Sequence, residues 1–314
     1  MYQKAWQLIT RSHYITLISH VNPDGDALGS SLSLYPILKD MGKKVSIVNV
    51  TTPLPIRYDF LPNYDKIKNT LPSRVDLLIS FDCGSYDRLG IAPLDVPLIN
   101  IDHHITNTRY GTLNLIDAHE PSASSVVLKL LHENAIPLRR DVATCIYAAL
   151  AEDTGFFSYE NVTAHAFGIA AELIRAKADP VTIAKNLKER NSLAKLRLEA
   201  LTIDKLHLIY HAMVGYAVLT LEDFAATGAL RSDSDACVDI IRSLATVELA
   251  ILLIEEHDGF KVSLRSKGEV DVSQIALSLG GGGHKRAAGF TVKSKNREEI
   301  IEKIMEKAGI EAYE

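Results

Sequence analysis

Short apolar runs alternate with helix-like stretches through the first half of the chain, and three of them end in histidine or aspartate or directly precede it. Four such runs have the length and β-branched content of buried strands, at residues 14–19, 44–50, 75–82 and 97–104. A helical pattern of leucines fills residues 27–41, and Gly42 ends it. Strands that alternate with helices predict an α/β fold with a parallel sheet and helices on both faces.

The ends of these predicted strands carry side chains of the kind that bind metal ions. In open parallel sheets, sites form outside the carboxyl ends of the strands. With the end of a later helix, these positions supply His20, Asp24, Asp26, Asp82, Asp102, His103, His104 and Asp153. Mixed nitrogen and oxygen ligands suit Mn²⁺, Fe²⁺, Co²⁺ or Zn²⁺. Two ions about 3.5–4 Å apart would neutralise the carboxylates, and a hydroxide that bridges them would be the nucleophile.

Each part of this set also has an ordinary structural explanation. NPDGD is a common type of turn, in which Pro23 and Gly25 are expected to prevent a regular strand or helix. Asp82 alone could cap a following helix. A lone Asp-His-His triplet is more often a solvated loop than a metal site. The prediction of a metal centre therefore depends on the coincidence of several such strand ends.

Composition limits the partners and the compartment. The 34 lysines and arginines against 39 aspartates and glutamates give a formal net charge of −5, which argues against a broad basic surface for long duplex nucleic acid. Cys83, Cys145 and Cys237 lack CxxC spacing, so neither a structural zinc site nor a disulfide framework is expected. Without a signal peptide or membrane-spanning run, the chain is expected in the cytoplasm, away from membranes.

The second half of the chain predicts a connector and a smaller domain. Residues 191–207 form a helical stretch with Leu193, Leu196, Leu201 and Leu206 spaced for one apolar side. We interpret it as a connector between a catalytic domain at residues 1–190 and a smaller α/β domain at residues 208–314. A helix that continues the first domain fits the same pattern.

Four consecutive glycines, Gly280 to Gly283, precede His284 in the second domain. Glycines let backbone amides approach an anion closely, although a flexible loop is the default expectation for such a run. Arg265 and Arg109 are further candidates for a phosphate contact. For Arg265 a solvated strand-end side chain is equally expected.

Five segments of the chain resemble, in order, the motifs of the DHH phosphoesterase superfamily. HVNPDGDALGSSLSL, VDLLISFDCGSYDRLG, NIDHHITNTRYG and AEDTGFF resemble its four N-terminal motifs, and GGGGHKRAAGF resembles the signature of the DHH-associated C-terminal domain. The resemblance extends from about residue 13 to about residue 293. In length, the chain is most similar to the nanoRNase branch, the bifunctional oligoribonucleases and pAp phosphatases.

The resemblance implies a role for each candidate residue. One Mn²⁺ would be held by His20, Asp24 and Asp82. The other would be held by Asp26, Asp82, His103 and Asp153, so that Asp82 bridges the two. His104 would face the phosphate, and Asp102 would orient His103 or His104. The substrate would be bound, across a cleft from the metals, by Gly281, Gly282, Gly283 and His284.

The activity that the resemblance implies is Mn²⁺-dependent hydrolysis of short oligoribonucleotides to 5′-mononucleotides, with dephosphorylation of 3′-phosphoadenosine 5′-phosphate (pAp). The expected partners are short RNA, pAp and dinucleotides. A phosphodiesterase for linear or cyclic dinucleotides is the nearest alternative, and a non-catalytic nucleotide sensor is the alternative of another class. The glycine-rich segment disfavours an inorganic pyrophosphatase, and the short chain disfavours a DNA exonuclease. A homodimer is expected only because homodimers are common.

Overall fold

The first structural unit, Met1–Arg190, is built on a six-stranded parallel sheet. The computed structural model describes residues 1–310. In chain order the strands are β1 Tyr14–Ser19, β2 Lys44–Val48, β3 Ile67–Lys68, β4 Leu77–Phe81, β5 Leu98–Asp102 and β6 Leu113–Ile116. Their order in the sheet is β3-β2-β1-β4-β5-β6. The four strands predicted from the sequence are therefore confirmed, and β3 and β6 extend the sheet at its two edges.

Both faces of this sheet are covered. The helices of the unit are α1 Tyr2–Arg11, α2 Gly25–Asp40, α3 Ala123–Glu133, α4 Arg140–Asp153, α5 Ala164–Arg175 and α6 Pro180–Lys188. One face, which carries Leu17, Ile79 and Ile101, packs into the main core with these helices. The other face packs Ile18 and Leu78 against the segment that follows β4, which includes a 3₁₀ helix at Tyr86–Leu89. Burial on both sides explains the nearly continuous apolar strands.

The strand order places the predicted ligands side by side. β1, β4 and β5 are consecutive in the sheet and parallel, so their carboxyl ends lie at one edge. His20 follows β1, Asp82 follows β4, and Asp102 is the last residue of β5. Three strand ends that are far apart in sequence therefore meet in space.

The turn after β1 differs from the prediction in one respect. Helix α2 begins at Gly25, two residues earlier than its leucine pattern indicated, and Asp24 is its N-cap. The Asp24 carboxylate accepts a hydrogen bond from the Ala27 amide at 3.0 Å. A capping aspartate accepts a hydrogen bond from an amide in the first turn that has no partner within the helix. The DGD segment therefore forms the start of a helix rather than an irregular turn. Asp26 consequently lies in the first helical turn.

The second unit begins at Asn191 and contains a mixed six-stranded sheet. Its strands are β7 His207–Ile209, β8 Val214–Leu219, β9 Leu249–Glu256, β10 Gly259–Ser266, β11 Gly282–His284 and β12 Ala287–Val292, in the order β11-β12-β10-β9-β8-β7. Its helices are α7 Leu193–Asp204, α8 Leu221–Thr227, α9 Asp235–Ser243, α10 Val272–Ser278 and α11 Arg297–Ala308. Helices α10 and α11 pack on one face of the sheet, and α7, α8 and α9 pack on the other. The α/β fold class is therefore confirmed in both units.

Helix α7 buries a different side from the predicted one. Leu193 and Leu196 are 63% and 46% exposed, whereas Leu198 and Thr202 are fully buried. Leucines occur around much of this helix, so their spacing alone did not define one face. Leu198 packs with residues of α8 and α9 in the second unit.

Two further expectations concern bonding and membranes. The three cysteines are buried, and none forms a disulfide. Among residues 1–310, no helix combines the length and the apolar character needed to cross a lipid bilayer.

Candidate metal centre

Asp82 lies at the centre of the predicted ligands. Its amide donates to the carbonyl oxygen of Ile101 at 3.0 Å, which ties it to the neighbouring strand β5. Its backbone has a φ of +51°, a left-handed conformation that aspartate adopts more readily than most residues. The residue is 3% exposed. Backbone strain of this kind is common where a side chain must be aimed into a site.

One predicted ligand group forms on one side of Asp82. The Nε2 atom of His20 lies 3.5 Å from Asp82 Oδ2 and 3.9 Å from Asp24 Oδ2. Its other ring nitrogen, Nδ1, lies 2.9 Å from the carbonyl oxygen of Val21, and this contact leaves Nε2 directed at the carboxylates. The three side chains have ligand atoms close enough to share one ion.

A second predicted group forms on the other side. The Nε2 atom of His103 lies 3.5 Å from Asp153 Oδ2, 3.7 Å from Asp82 Oδ1 and 4.0 Å from Asp26 Oδ2. Asp26, His103 and Asp153 can also share one ion. The structure thus brings together all six predicted ligands, with Asp82 between the two groups.

Gly25 is required between the two aspartates of the α2 start. A Cβ atom on this residue would lie 1.8 Å from Oε2 of Glu152. Glu152 precedes the ligand Asp153 and accepts hydrogen bonds from Tyr58 and Arg57. A side chain at position 25 would therefore have to displace the Glu152 carboxylate from these two partners.

Asp102 accepts hydrogen bonds from both histidines of the triplet. It is fully buried, and its Oδ1 accepts hydrogen bonds from the His103 amide at 2.7 Å, the His104 amide at 3.2 Å and His104 Nδ1 at 2.7 Å. Its Oδ2 accepts a hydrogen bond from Asn107. With its oxygens occupied in this way, Asp102 orients the ring of His104. The His103 ring is held instead by the carbonyl oxygen of Glu120, at 3.3 Å from Nδ1.

Two carboxylates of the centre, those of Asp26 and Asp153, have raised pKa values. Burial, reinforced by the charge of Asp82, raises the pKa of Asp26 to about 7. Burial and the adjacent Asp26 raise the pKa of Asp153 well above its ordinary value. Asp82 behaves oppositely: burial favours its neutral form, but the surrounding imidazoles, His20 first among them, hold its pKa well below the usual range.

The neighbouring carboxylates raise the pKa values of the three imidazoles. Burial alone would lower the pKa of each ring, but the nearby carboxylates more than offset it. The pKa of His20 is raised chiefly by Asp82, that of His103 by Asp26, and that of His104 by Asp102. The centre is therefore a site where positive charge is favoured.

The donor set fits divalent metal ions. Oδ1 of Asp82 is buried and accepts no hydrogen bond from residues 1–310, although it faces two imidazoles. A buried carboxylate oxygen without a partner is costly, and a cation would satisfy it. Two imidazoles and four carboxylates suit Mn²⁺ and similar ions better than Ca²⁺.

The metal-free chain is expected to lose stability as the pH rises from about 5.5 to about 8. The raised pKa values of Asp26, Asp153 and the imidazoles mean that the folded chain binds more protons than the unfolded chain in this interval, so stability falls with pH. The lowered pKa of Asp82 affects the stability of the chain only below about pH 4. Bound Mn²⁺ would replace these protons. The increase in melting temperature that Mn²⁺ produces relative to EDTA should therefore be larger at the higher pH, and an equal increase at both would contradict this account.

Several supporting residues were not found from the sequence. Asn107 donates to the carbonyl oxygen of Cys83 at 3.1 Å as well as to Asp102, which connects the ends of β4 and β5. The amides of Ala123 and Ser124 donate to the Asp26 carboxylate. Asn107 follows the triplet by three residues, which is a weak signal, whereas backbone donors leave no signal in the sequence.

The two arginines predicted to bind substrate differ in their exposure and in their contacts. Arg109, on the loop after β5, is exposed. Arg265 belongs to the second unit, where its Nε lies 3.6 Å from Asp239 Oδ1. It is therefore a paired arginine rather than a solvated one. Its role in phosphate binding stays a prediction.

The glycine run is more ordered than the expected flexible loop. Gly282–His284 forms the edge strand β11, which pairs antiparallel with β12. A Cβ atom at Gly281 would lie 2.1 Å from the Gly289 carbonyl oxygen, and one at Gly283 would lie 2.5 Å from that of Ala287. Close strand pairing therefore explains these two glycines. It does not explain Gly282, where an added Cβ would meet no atom within 4 Å.

Known proteins resemble this chain along most of its length. It is 33% identical to the bifunctional oligoribonuclease and PAP phosphatase NrnA of Thermus thermophilus, over 93% of this chain and 88% of that protein. It is 30% identical to the protein of the same name from Bacillus subtilis, over 91% and 92% of the two chains. A solved exopolyphosphatase-related protein from Bacteroides fragilis superposes with a TM-score of 0.88 at 25% identity, covering 98% of this chain and 95% of that one.

Family profiles match both units. The DHH family, N-terminal domain, matches residues 14–150, and the DHHA1 domain matches residues 214–309. The first match contains the Asp-His-His triplet and five of the six predicted ligands, and the second contains the glycine run. The chain therefore belongs to the DHH phosphoesterase family, in the group that carries a DHHA1 domain after the DHH domain.

Proposed function

We propose that this chain is a Mn²⁺-dependent phosphoesterase that hydrolyses short oligoribonucleotides to 5′-mononucleotides and removes a phosphate from pAp. The observation that carries the proposal is the pair of ligand groups that meet at Asp82, with the ring of His104 beside them. The names of the two NrnA relatives support the choice of substrates. A cytoplasmic location stays a prediction.

Six residues of the chain would hold the two metal ions at this centre. His20, Asp24 and Asp82 would hold one ion, and Asp26, His103 and Asp153, together with Asp82, would hold the other. When bound, two such ions would lower the pKa of water and neutralise phosphate charge.

His104 would bind the phosphate and stabilise charge that develops there. Asp102 fixes its tautomer by accepting the Nδ1 hydrogen at 2.7 Å. The pKa of His104 is raised by Asp102 and Asp82, so the ring is more readily cationic, as an anionic substrate requires.

A parallel substrate assay tests the proposal. The chain with Mn²⁺ is given pAp, a linear dinucleotide, an RNA 5-mer, a longer RNA, cyclic di-AMP and pyrophosphate, and each reaction is repeated with EDTA. We expect EDTA-sensitive turnover of pAp and the short RNAs, and slow turnover of the longer RNA. Preference for cyclic di-AMP or for pyrophosphate would overturn the proposal. Nucleotide binding without turnover of any compound would indicate a sensor.

Replacing Gly282 by alanine is expected to raise KM for pAp about tenfold, since a hydrogen bond to a charged group contributes about 1.5–3 kcal/mol. Gly282 has no structural need to be glycine, so a loss of binding would indicate close approach of its backbone to the substrate. Thermal stability should stay unchanged.

Gly168→Ala is the matched control, because an added Cβ there also meets no atom within 4 Å. An unchanged KM in the Gly282 variant would exclude its backbone from substrate binding. His284→Ala is expected to raise KM in the same way, whereas a change in melting temperature alone would make that residue structural.

A further inference from the structure

Asn161 connects two chain segments that hold one of the ligand groups. It lies between α4 and α5, and its Nδ2 is 3.1 Å from the carbonyl oxygen of Asp153 and 3.0 Å from that of Pro121. Both neighbours are hydrogen-bond acceptors, so only the NH₂ side of the amide can face them. The orientation of this side chain is thus fixed by the backbone around it.

The segment that follows His119 supports two ligands of the same group. The carbonyl oxygen of Glu120 lies 3.3 Å from His103 Nδ1. At the start of α3, the Ala123 and Ser124 amides donate to the Asp26 carboxylate at 2.5 and 2.9 Å. A movement of this segment would therefore displace His103 and Asp26 together.

Asn161 links that segment to the third member of the group, Asp153. Its two hydrogen bonds directly connect the backbone beside Glu120 with the backbone of Asp153. Among the described residues, no hydrogen bond of Asn161 reaches His20 or Asp24 of the other group.

We propose that Asn161 is a positioning residue for one of the two metal ions, the one assigned to Asp26, His103 and Asp153. It sets the distance between Asp153 and the pair formed by the other two ligands. The inference rests on the proposed two-metal centre and goes beyond it, since it predicts that a residue without contact to either ion controls one ion selectively.

The first test is a Mn²⁺ titration of the whole chain by calorimetry, with free Mn²⁺ followed by electron paramagnetic resonance. In Asn161→Ala, one of two binding constants is expected to fall about 10–100-fold, the range usual for residues that hold metal ligands in place. The other constant should stay unchanged. At an intermediate Mn²⁺ concentration the variant should therefore bind one ion where the unaltered chain binds two.

Asn161→Asp separates positioning from charge. A carboxylate near the centre would by its charge strengthen cation binding. It would, however, place an acceptor against the carbonyl oxygens of Pro121 and Asp153 and push the two segments apart. We expect weaker binding of the same ion as in the alanine variant. Stronger binding would show that charge dominates and would overturn the inference.

Asn134 supplies the matched control. Its Nδ2 also donates to a backbone carbonyl, that of Leu130 at 2.8 Å, at the opposite end of α3. Asn134→Ala should lower the melting temperature without altering Mn²⁺ binding. If both variants weaken Mn²⁺ binding, the effect of Asn161 is a general loss of stability and the inference fails.

Double variants identify which ion is affected. Asn161→Ala combined with Asp153→Ala should weaken Mn²⁺ binding by less than the sum of the separate effects, because both act on one ion. Combined with Asp24→Ala, the effects should add. The reverse pattern, or two unchanged binding constants in Asn161→Ala, would refute the assignment. Because titration needs no turnover, an unaltered chain that binds two ions but hydrolyses nothing would refute the proposed function alone.

Discussion

Asp82→Asn is expected to reduce hydrolysis about a thousandfold or more while the chain stays folded. Asp82 belongs to one ligand group, and its Oδ1 lies 3.7 Å from His103 Nε2 of the other, so its loss should weaken both ions. Metal ions stabilise charge in such reactions by several kcal/mol, and each 1.36 kcal/mol corresponds to about a factor of ten in rate. Asparagine keeps the volume of the buried side chain but removes its charge. Turnover of pAp and bound Mn²⁺ should fall together.

The control for this variant is Asp95→Asn. Asp95 is exposed and lies in the same connection between β4 and β5, so its substitution should change neither activity nor Mn²⁺ content. Circular dichroism would show that both variants are folded. Turnover in Asp82→Asn within tenfold of that of the unaltered chain would be incompatible with a two-metal centre at this residue.

The framework of the first unit could be predicted because its strands are buried on both faces. A continuous apolar run such as residues 14–19 is typical of a strand that is buried on both faces of a parallel sheet. The parallel order of the strands brings their carboxyl ends to one edge of the sheet. The short strands β3 and β6 were missed because edge strands of two and four residues carry little pattern. The amphipathic face of α7 was wrongly predicted, because its leucines fit more than one face and tertiary packing chose Leu198.

The grouping of the candidate ligands could be predicted, but the contacts that hold them in place could not. His20, Asp82 and His103 follow strands, so their position depends on local pattern and sheet topology. Asn161 acts on backbone carbonyls 8 and 40 residues away, and contacts of that kind do not depend on the identity of the residue that supplies the carbonyl. A single sequence therefore shows which residues can bind a metal and conceals what holds them.

The division of roles within the Asp-His-His triplet leads to a second large effect. The structure permits three overlapping groups of ligand atoms, one of which contains Asp82, Asp102, His103 and His104. Asp102 already accepts hydrogen bonds at both oxygens, and His104 Nδ1 is committed to it at 2.7 Å. We therefore assign His104 to the substrate and His103 to a metal ion, although the two rings are adjacent, with centroids 4.8 Å apart.

His104→Ala should accordingly lower kcat about 100–1000-fold, the usual cost of removing one group that stabilises charge in the transition state, while both Mn²⁺ ions stay bound. His103→Ala should instead lose one ion, and the exposed His119→Ala should be neutral. Steady-state kinetics with pAp and metal analysis of the same samples give the comparison. If His104→Ala lost an ion, the ring would be a ligand, and the role of Asp102 would change with it, from orienting a group that binds phosphate to orienting one that binds metal.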